Sequence, residues 1–149
     1  MKGENEMLVR QISVFLENKK GRLSEVTKIL KEHNIDIIAL SIADTTNFGI
    51  LRMIVDKHEF AVEVMRNSGF TVSTTEVLVV EVLDQPGGLH EVLEVLKDND
   101  ISIEYAYSFV RRPSDSAIIL FKVEDPLGTT DILKNAGFHT ITEEDICNL

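Results

Sequence analysis

Asp84-Gln85-Pro86-Gly87-Gly88-Leu89-His90-Glu91-Val92 lies over Asn18-Lys19-Lys20-Gly21-Arg22-Leu23-Ser24-Glu25-Val26 at an offset of 66 residues, Gly21 to Gly87. The same offset carries Leu30-Lys31 onto Leu96-Lys97, and Ile35 and Ile37 onto Ile101 and Ile103. Further along, Asn67-Ser68-Gly69-Phe70 meets Asn135-Ala136-Gly137-Phe138 at an offset of 68. Two matched blocks in the same order, separated by one small gap, mark an internal duplication. The two extra residues of the second copy fall near Arg111-Arg112-Pro113-Ser114-Asp115, where a hairpin tip tolerates insertion and a strand does not.

Outward from the matched turn, each copy reads as the same series of elements. Ile12, Val14 and Leu16 alternate with Gln11, Ser13 and Glu17, the pattern of a half-buried strand, and Leu78, Val80 and Val82 hold the matching positions. The turn then leads into a helix with Leu23, Val26, Ile29 and Leu30 on one face, mirrored by Leu89, Val92, Val95 and Leu96. Residues 35–42 and 101–110 are rich in strand-formers. Turn signals at Asp44-Thr45-Thr46-Asn47 and Pro113-Ser114-Asp115 return the chain as third strands over 49–55 and 117–123. A second helix uses Phe60, Ala61, Val64 and Met65 in copy one, and Ile132, Leu133 and Ala136 in copy two. Gly69 and Gly137 fit left-handed helix ends, and last strands are expected from Phe70 and Phe138. The expectation is an α+β chain of two tandem ferredoxin-like βαββαβ units, residues 8–75 and 76–149, with antiparallel sheets and helices on one face.

Composition narrows the function classes. The chain has 149 residues, 44% of them hydrophobic and 27% charged, the balance of a globular protein. No apolar run approaches the roughly 20 residues that span a bilayer, so no membrane association is expected. Residues Met1 to Met7 are polar and acidic, unlike a signal peptide, which makes the cytoplasm the default compartment. A formal charge of −10 repels phosphate, and the basic clusters Lys19-Lys20-Gly21-Arg22 and Arg111-Arg112 are short, so no nucleic-acid partner is expected. Cys147 is the single cysteine, which excludes an internal disulfide and a thiolate-rich metal site. His33, His58, His90 and His139 occupy unlike places in the two copies and indicate no metal.

The turn is the part with chemistry. It delivers the chain into a helix start, whose unpaired N–H groups favour negative charge, and glycine lets a ligand approach the backbone. Asp84 adds a carboxylate able to receive an ammonium group. Such a turn could read both ends of a free amino acid. Asn18 and Asp84 read equally well as helix caps, and Glu25 and Glu91 as first-turn carboxylates stabilised by the helix dipole.

Asp84 to Leu89, followed by Asp100-Ile101-Ser102-Ile103, resembles the signature of the ACT domain: Asp/Asn-x-x-Pro-Gly-x-Leu before a helix, then an Asn-Ile-like approach to the second strand. Copy one shows Asn18 to Leu23 and Asn34-Ile35-Asp36-Ile37, with Lys20 in place of the proline, a departure that leaves the turn less preset. The likeness runs from about Gln11 to the last strand and is greatest to free-standing tandem ACT proteins. Copy one also resembles the start of the acetolactate synthase regulatory subunit. What the resemblance implies is allosteric binding of an amino acid where ACT units meet. Carried over, it points to Asn18, Lys20, Gly21, Arg22, Leu23 and Asp36 in copy one. In copy two it points to Asp84, Pro86, Gly87, Gly88, Leu89 and Ser102, with Tyr105 and Tyr107 beside them as pocket residues by position. It implies no cofactor, no catalytic residue, a homodimer, and a metabolic enzyme as a regulated partner.

Two rivals share part of this pattern. An RNA-recognition domain has the same topology but needs exposed aromatics on its first and third strands, and 49–55 and 117–123 are mainly aliphatic, with Phe121 alone. An enzyme would need a nucleophile–base order, metal spacing or a phosphate loop, and the sequence offers none of these.

Overall fold

The computed structural model describes residues 8–44, 47–109 and 115–148. The turn expected at 44–47, the insertion near Arg111-Arg112 and the N-terminal stretch 1–7 therefore lie wholly or partly outside the described residues. The elements run β1 (Val9–Glu17), α1 (Arg22–Glu32), β2 (Ile37–Asp44), β3 (Phe48–Val55), α2 (His58–Asn67) and β4 (Thr71–Leu83). They continue with α3 (Gly88–Asp98), β5 (Ile103–Ser108), β6 (Ser116–Val123), α4 (Pro126–Asn135), β7 (His139–Thr140) and α5 (Glu143–Ile146). This is βαββαβ twice, with β4 closing the first copy and opening the second. Two compact units result: Arg10–Thr75, and Glu76 onward together with Leu8 and Val9.

In the first unit β1 and β2 both pair antiparallel with β3, and β4 follows β1 in the strand order. Ile12, Val14 and Leu16 pack with Leu51, Met53 and Val55 under Val26 and Leu30 of α1 and Ala61 and Met65 of α2. Both helices thus cover one face of the sheet, as the alternation predicts. In the second unit β4 lies between β6 and β7, and β5 pairs with β6 on its far side, all antiparallel. Leu78, Val80 and Val82 pack with Phe121 and Val123 under Val92, Leu96 and Leu133, and Leu8 completes that core.

Helix ends repeat as faithfully as cores. Gly69 and Gly137 sit at φ 91° and 94°, and the N–H groups of Phe70 and Phe138 reach back to the carbonyls of Met65 and Leu133. These are Schellman ends, and the strands start one residue later than the sequence reading placed them. Asn34 and Asp100, both at φ 56°, end α1 and α3 in the same way, with Ile35 and Ile101 donating to Leu30 and Leu96. Asn and Asp are the residue types that accept left-handed backbone most readily after glycine.

Some expectations need correction. Leu23 and Leu89, assigned to the buried helix faces, are 36% and 44% exposed. Phe60 is also exposed, and Ala136 is the C-cap of α4 rather than a core residue. Tyr105 and Tyr107 are half-buried on β5. They stack on each other at 6.4 Å opposite Lys122 and Leu120, outside the second unit's helix-covered core, whereas Phe109 is buried. α5 was not foreseen, although Thr142-Glu143-Glu144-Asp145 spells its capping box: Asp145 N–H donates to Thr142 Oγ1 and Thr142 N–H to Asp145 Oδ2.

Candidate functional site

The two strand–helix turns are built alike. Gly21 and Gly87 are each at φ 88°, a conformation that strains any residue with a Cβ. In copy one Lys19 N–H donates to Glu17 O, Arg22 N–H to Lys19 O and Glu25 N–H to Gly21 O. In copy two Gln85, Gly88 and Glu91 repeat these bonds to Leu83, Gln85 and Gly87. Lys20 in place of Pro86 therefore leaves these hydrogen bonds in place. The glycines themselves are the N-caps and offer no side-chain acceptor to the helix starts. A helix start of this kind turns its first N–H groups outward, where an external acceptor can take them.

One position separates the turns. A Cβ on Gly88 would meet the Leu83 carbonyl oxygen at 2.0 Å, yet its counterpart is Arg22. The guanidinium of Arg22 donates to Glu25 at 2.8 Å, lies 3.9 Å from Glu17 and sits 5.1 Å from the centroid of the Phe70 ring. Its Nε is shielded from solvent and has no acceptor among the described residues. Lys19 approaches Glu17 at 3.0 Å. That hydrogen-bonded ammonium, and after it the charge of Arg22, hold the Glu17 carboxyl below the ordinary glutamate value.

The sequence-derived residues do not all come together within a unit. Asn18, Lys20, Gly21, Arg22 and Leu23 stand at the start of α1, and Asp36 stands past its end. Eleven helical residues place these ends about 16 Å apart. Asp84, Pro86, Gly87, Gly88 and Leu89 are separated from Ser102 and Tyr105 by α3 in the same manner. Asp36 N–H donates to Asp56 Oδ1 at 2.9 Å, and Lys57 Nζ donates to Asn34 O at 2.5 Å, both at the far end of α1 from the turn.

Two cavities lie each within a single unit. The first, about 360 Å³, is lined by Phe15, Glu17, Arg22, Phe48, Gly69, Phe70 and Thr71. Of the residues that the sequence singled out, only Arg22 is on its wall. Phe15 and Phe48 were missed, yet Phe15 breaks the polar phase of the alternation between Val14 and Leu16. The second cavity, about 600 Å³, lies past the end of α3, and its lining includes Ser102, Asp100, Glu104, Glu124 and Asp125. Here Asp125 stands where copy one has Lys57, and Lys122 pairs with Glu104 at 3.3 Å. Tyr105 lines neither cavity. Among the described residues no group of three or more His, Cys, Asp or Glu could hold a metal, and no helix is long and apolar enough to cross a membrane.

Comparison with known proteins completes the picture. A protein of Bacteroides thetaiotaomicron with a solved structure is 34% identical, over 97% of this chain and 99% of that one, with a TM-score of 0.90. The regulatory subunit of aspartate kinase from Thermus thermophilus shares the fold at 13% identity, with a TM-score of 0.64 over 87% of this chain and 93% of its own. The corresponding subunit from Thermus flavus, also 13% identical, gives 0.58 over 86% and 92%. Among curated proteins no sequence matches. The family model for the ACT domain pair matches residues 7–149. With the fold repeated twice and the glycine turn in both copies, the chain belongs to the ACT domain pair family.

Proposed function

We propose that this chain is a non-catalytic regulatory sensor that binds a free amino acid through its strand–helix turns. The observation that carries the reading is the pair of uncapped helix starts behind Gly21 and Gly87, both at φ 88°, in a chain of the ACT domain pair family. The carboxylate takes the free N–H groups of Leu23 and Ser24, or of Leu89 and His90. The groups at the other ends of α1 and α3, Asp36 and Ser102, are about a helix length away from the turns. One small molecule bound at a turn therefore meets such a group only where another ACT unit supplies it, and in this reading a second copy of the chain does so, in an active homodimer. Regulation follows if the ligand holds one arrangement of units more tightly than another. The regulated partner is an enzyme of amino-acid metabolism; the likeness of copy one to the acetolactate synthase regulatory subunit makes that enzyme the first to test.

A thermal-shift screen over the common amino acids tests the reading. A ligand at a hundred times its Kd stabilises by about 2.7 kcal/mol, so at least one amino acid at millimolar concentration raises Tm by several degrees. No rise with any of them overturns the proposal.

A further inference from the structure

The first cavity has a composition that its place in the fold does not require, and the duplication shows this without reference to any other protein. Gly69 and Phe70 recur as Gly137 and Phe138, because both copies need the same helix end. The other main lining residues do not recur. Phe15, Glu17, Arg22 and Phe48 correspond to Glu81, Leu83, Gly88 and Ser116. The two cores tolerate the same skeleton with and without these side chains, so folding alone does not select them. Their exposure agrees: Phe15 is 50% and Phe48 49% exposed, an unfavourable setting for two large rings on a small unit.

The geometry gathers them on one face. Glu17 lies directly opposite Phe48 in the β1–β3 register, and Phe15 is two residues from Glu17, hence diagonal to Phe48 on the same side of the sheet. Arg22 closes the end of this strip with its guanidinium over Phe70. A cation and an anion 3.9 Å apart thus border an aromatic recess of about 360 Å³. That size is at the lower end of small-ligand sites, about 300–1,000 Å³, and suits one amino acid better than a nucleotide.

We infer that this recess is a side-chain pocket present in copy one alone, and that it takes an aromatic amino acid. The inference rests on the reading of the chain as an amino-acid sensor and names the ligand class. The ring lies against Phe15, Phe48 and Phe70, the carboxylate received by the start of α1 also meets Arg22, the first residue of that helix, and the ammonium reaches Glu17. Arg22 keeps Glu25 and Glu17 keeps Lys19, so a zwitterion exchanges only the long Glu17–Arg22 contact, and does so for two charge-assisted ones, whereas an amine or an acid alone gains one. A net charge of −10 and a carboxylate at the rim disfavour a nucleobase with its phosphate.

Isothermal titration with L-phenylalanine, L-tyrosine, L-alanine, L-aspartate, 3-phenylpropionate and phenethylamine, on the full chain, tests it. The expected result is that phenylalanine or tyrosine binds at least about tenfold more tightly than alanine, aspartate and the two singly charged analogues. F15S, F48S and R22Q each weaken that binding at least about tenfold, while circular dichroism stays unchanged, since all three side chains lie outside the core. If an aromatic amino acid binds but none of the three variants weakens it, the pocket is wrong and the sensor reading stands. If only a non-aromatic amino acid binds, the result is the same. If no amino acid binds at all, both fall. Retarded migration of single-stranded RNA that F15S and F48S abolish, without amino-acid binding, also overturns the inference.

Discussion

At position 88 packing dictates glycine, and at position 22, in the same turn of the other copy, it does not. G88A puts a methyl group 2.0 Å from the Leu83 carbonyl, and overpacking of this kind costs about 1–3 kcal/mol. Urea denaturation of G88A and R22A compares the two; R22A is expected to lose less, because it removes a side chain whose Nε already lacks an acceptor. Glu17 offers a pH test at the same scale. Its folded value lies below the ordinary one, so it contributes stability above the ordinary glutamate range, and that contribution is lost as pH falls through the folded value. Titration of its side chain by NMR should give a midpoint below that of a free glutamate. K19A should raise the midpoint more than R22Q, since the hydrogen-bonded Lys19 is the larger cause. The glycine turns and Arg22 were legible from sequence because their types recur or conflict at fixed spacing. Phe15 is not legible as a site residue because it stands in the polar phase of β1, while its neighbours Val14 and Leu16 supply the core.

Among the elements, the helices differ in how their ends are held. α4 has a true side-chain cap, Asp125, which accepts from Gly128 N–H at 3.1 Å, whereas α1 and α3 start on bare glycines. D125A should destabilise the second unit by about 0.5–2 kcal/mol, measured by chemical denaturation. Loss of one buried core leucine gives the larger reference: L30A and L96A should each cost about 2–5 kcal/mol. Their similarity in the two units would reflect the shared skeleton. Helices and strands were legible because burial imposes period 3.6 or 2 on the sequence. α5 was missed because four residues are too few for a period, and only its Thr142–Asp145 cap announces it. The separation of Asp36 from Gly21 follows from the eleven residues of α1, a length that the apolar spacing already contains.

For the whole molecule, the duplication gives two copies of one backbone carrying different surfaces. The cavities were not legible, because each joins residues far apart in the chain: Phe15 and Arg22 with Gly69 to Thr71, or Ser102 with Asp125 and Thr129. Only the register of the strands brings them together. Unequal ligand sites follow, and titration should resolve one tight site per chain for an aromatic amino acid, with the second turn weaker or differently selective. Equal affinity at both turns would remove that asymmetry while leaving the repeat intact. The glycine at 88 has a further consequence for how such a gene can evolve. Tandem repeats are prone to conversion, in which one copy overwrites the other. Here the exchange is not symmetrical: glycine can replace arginine in the first turn, but arginine cannot enter the second without displacing the Leu83 carbonyl. A single substitution towards identical turns therefore meets a close approach of the backbone in one direction and not in the other.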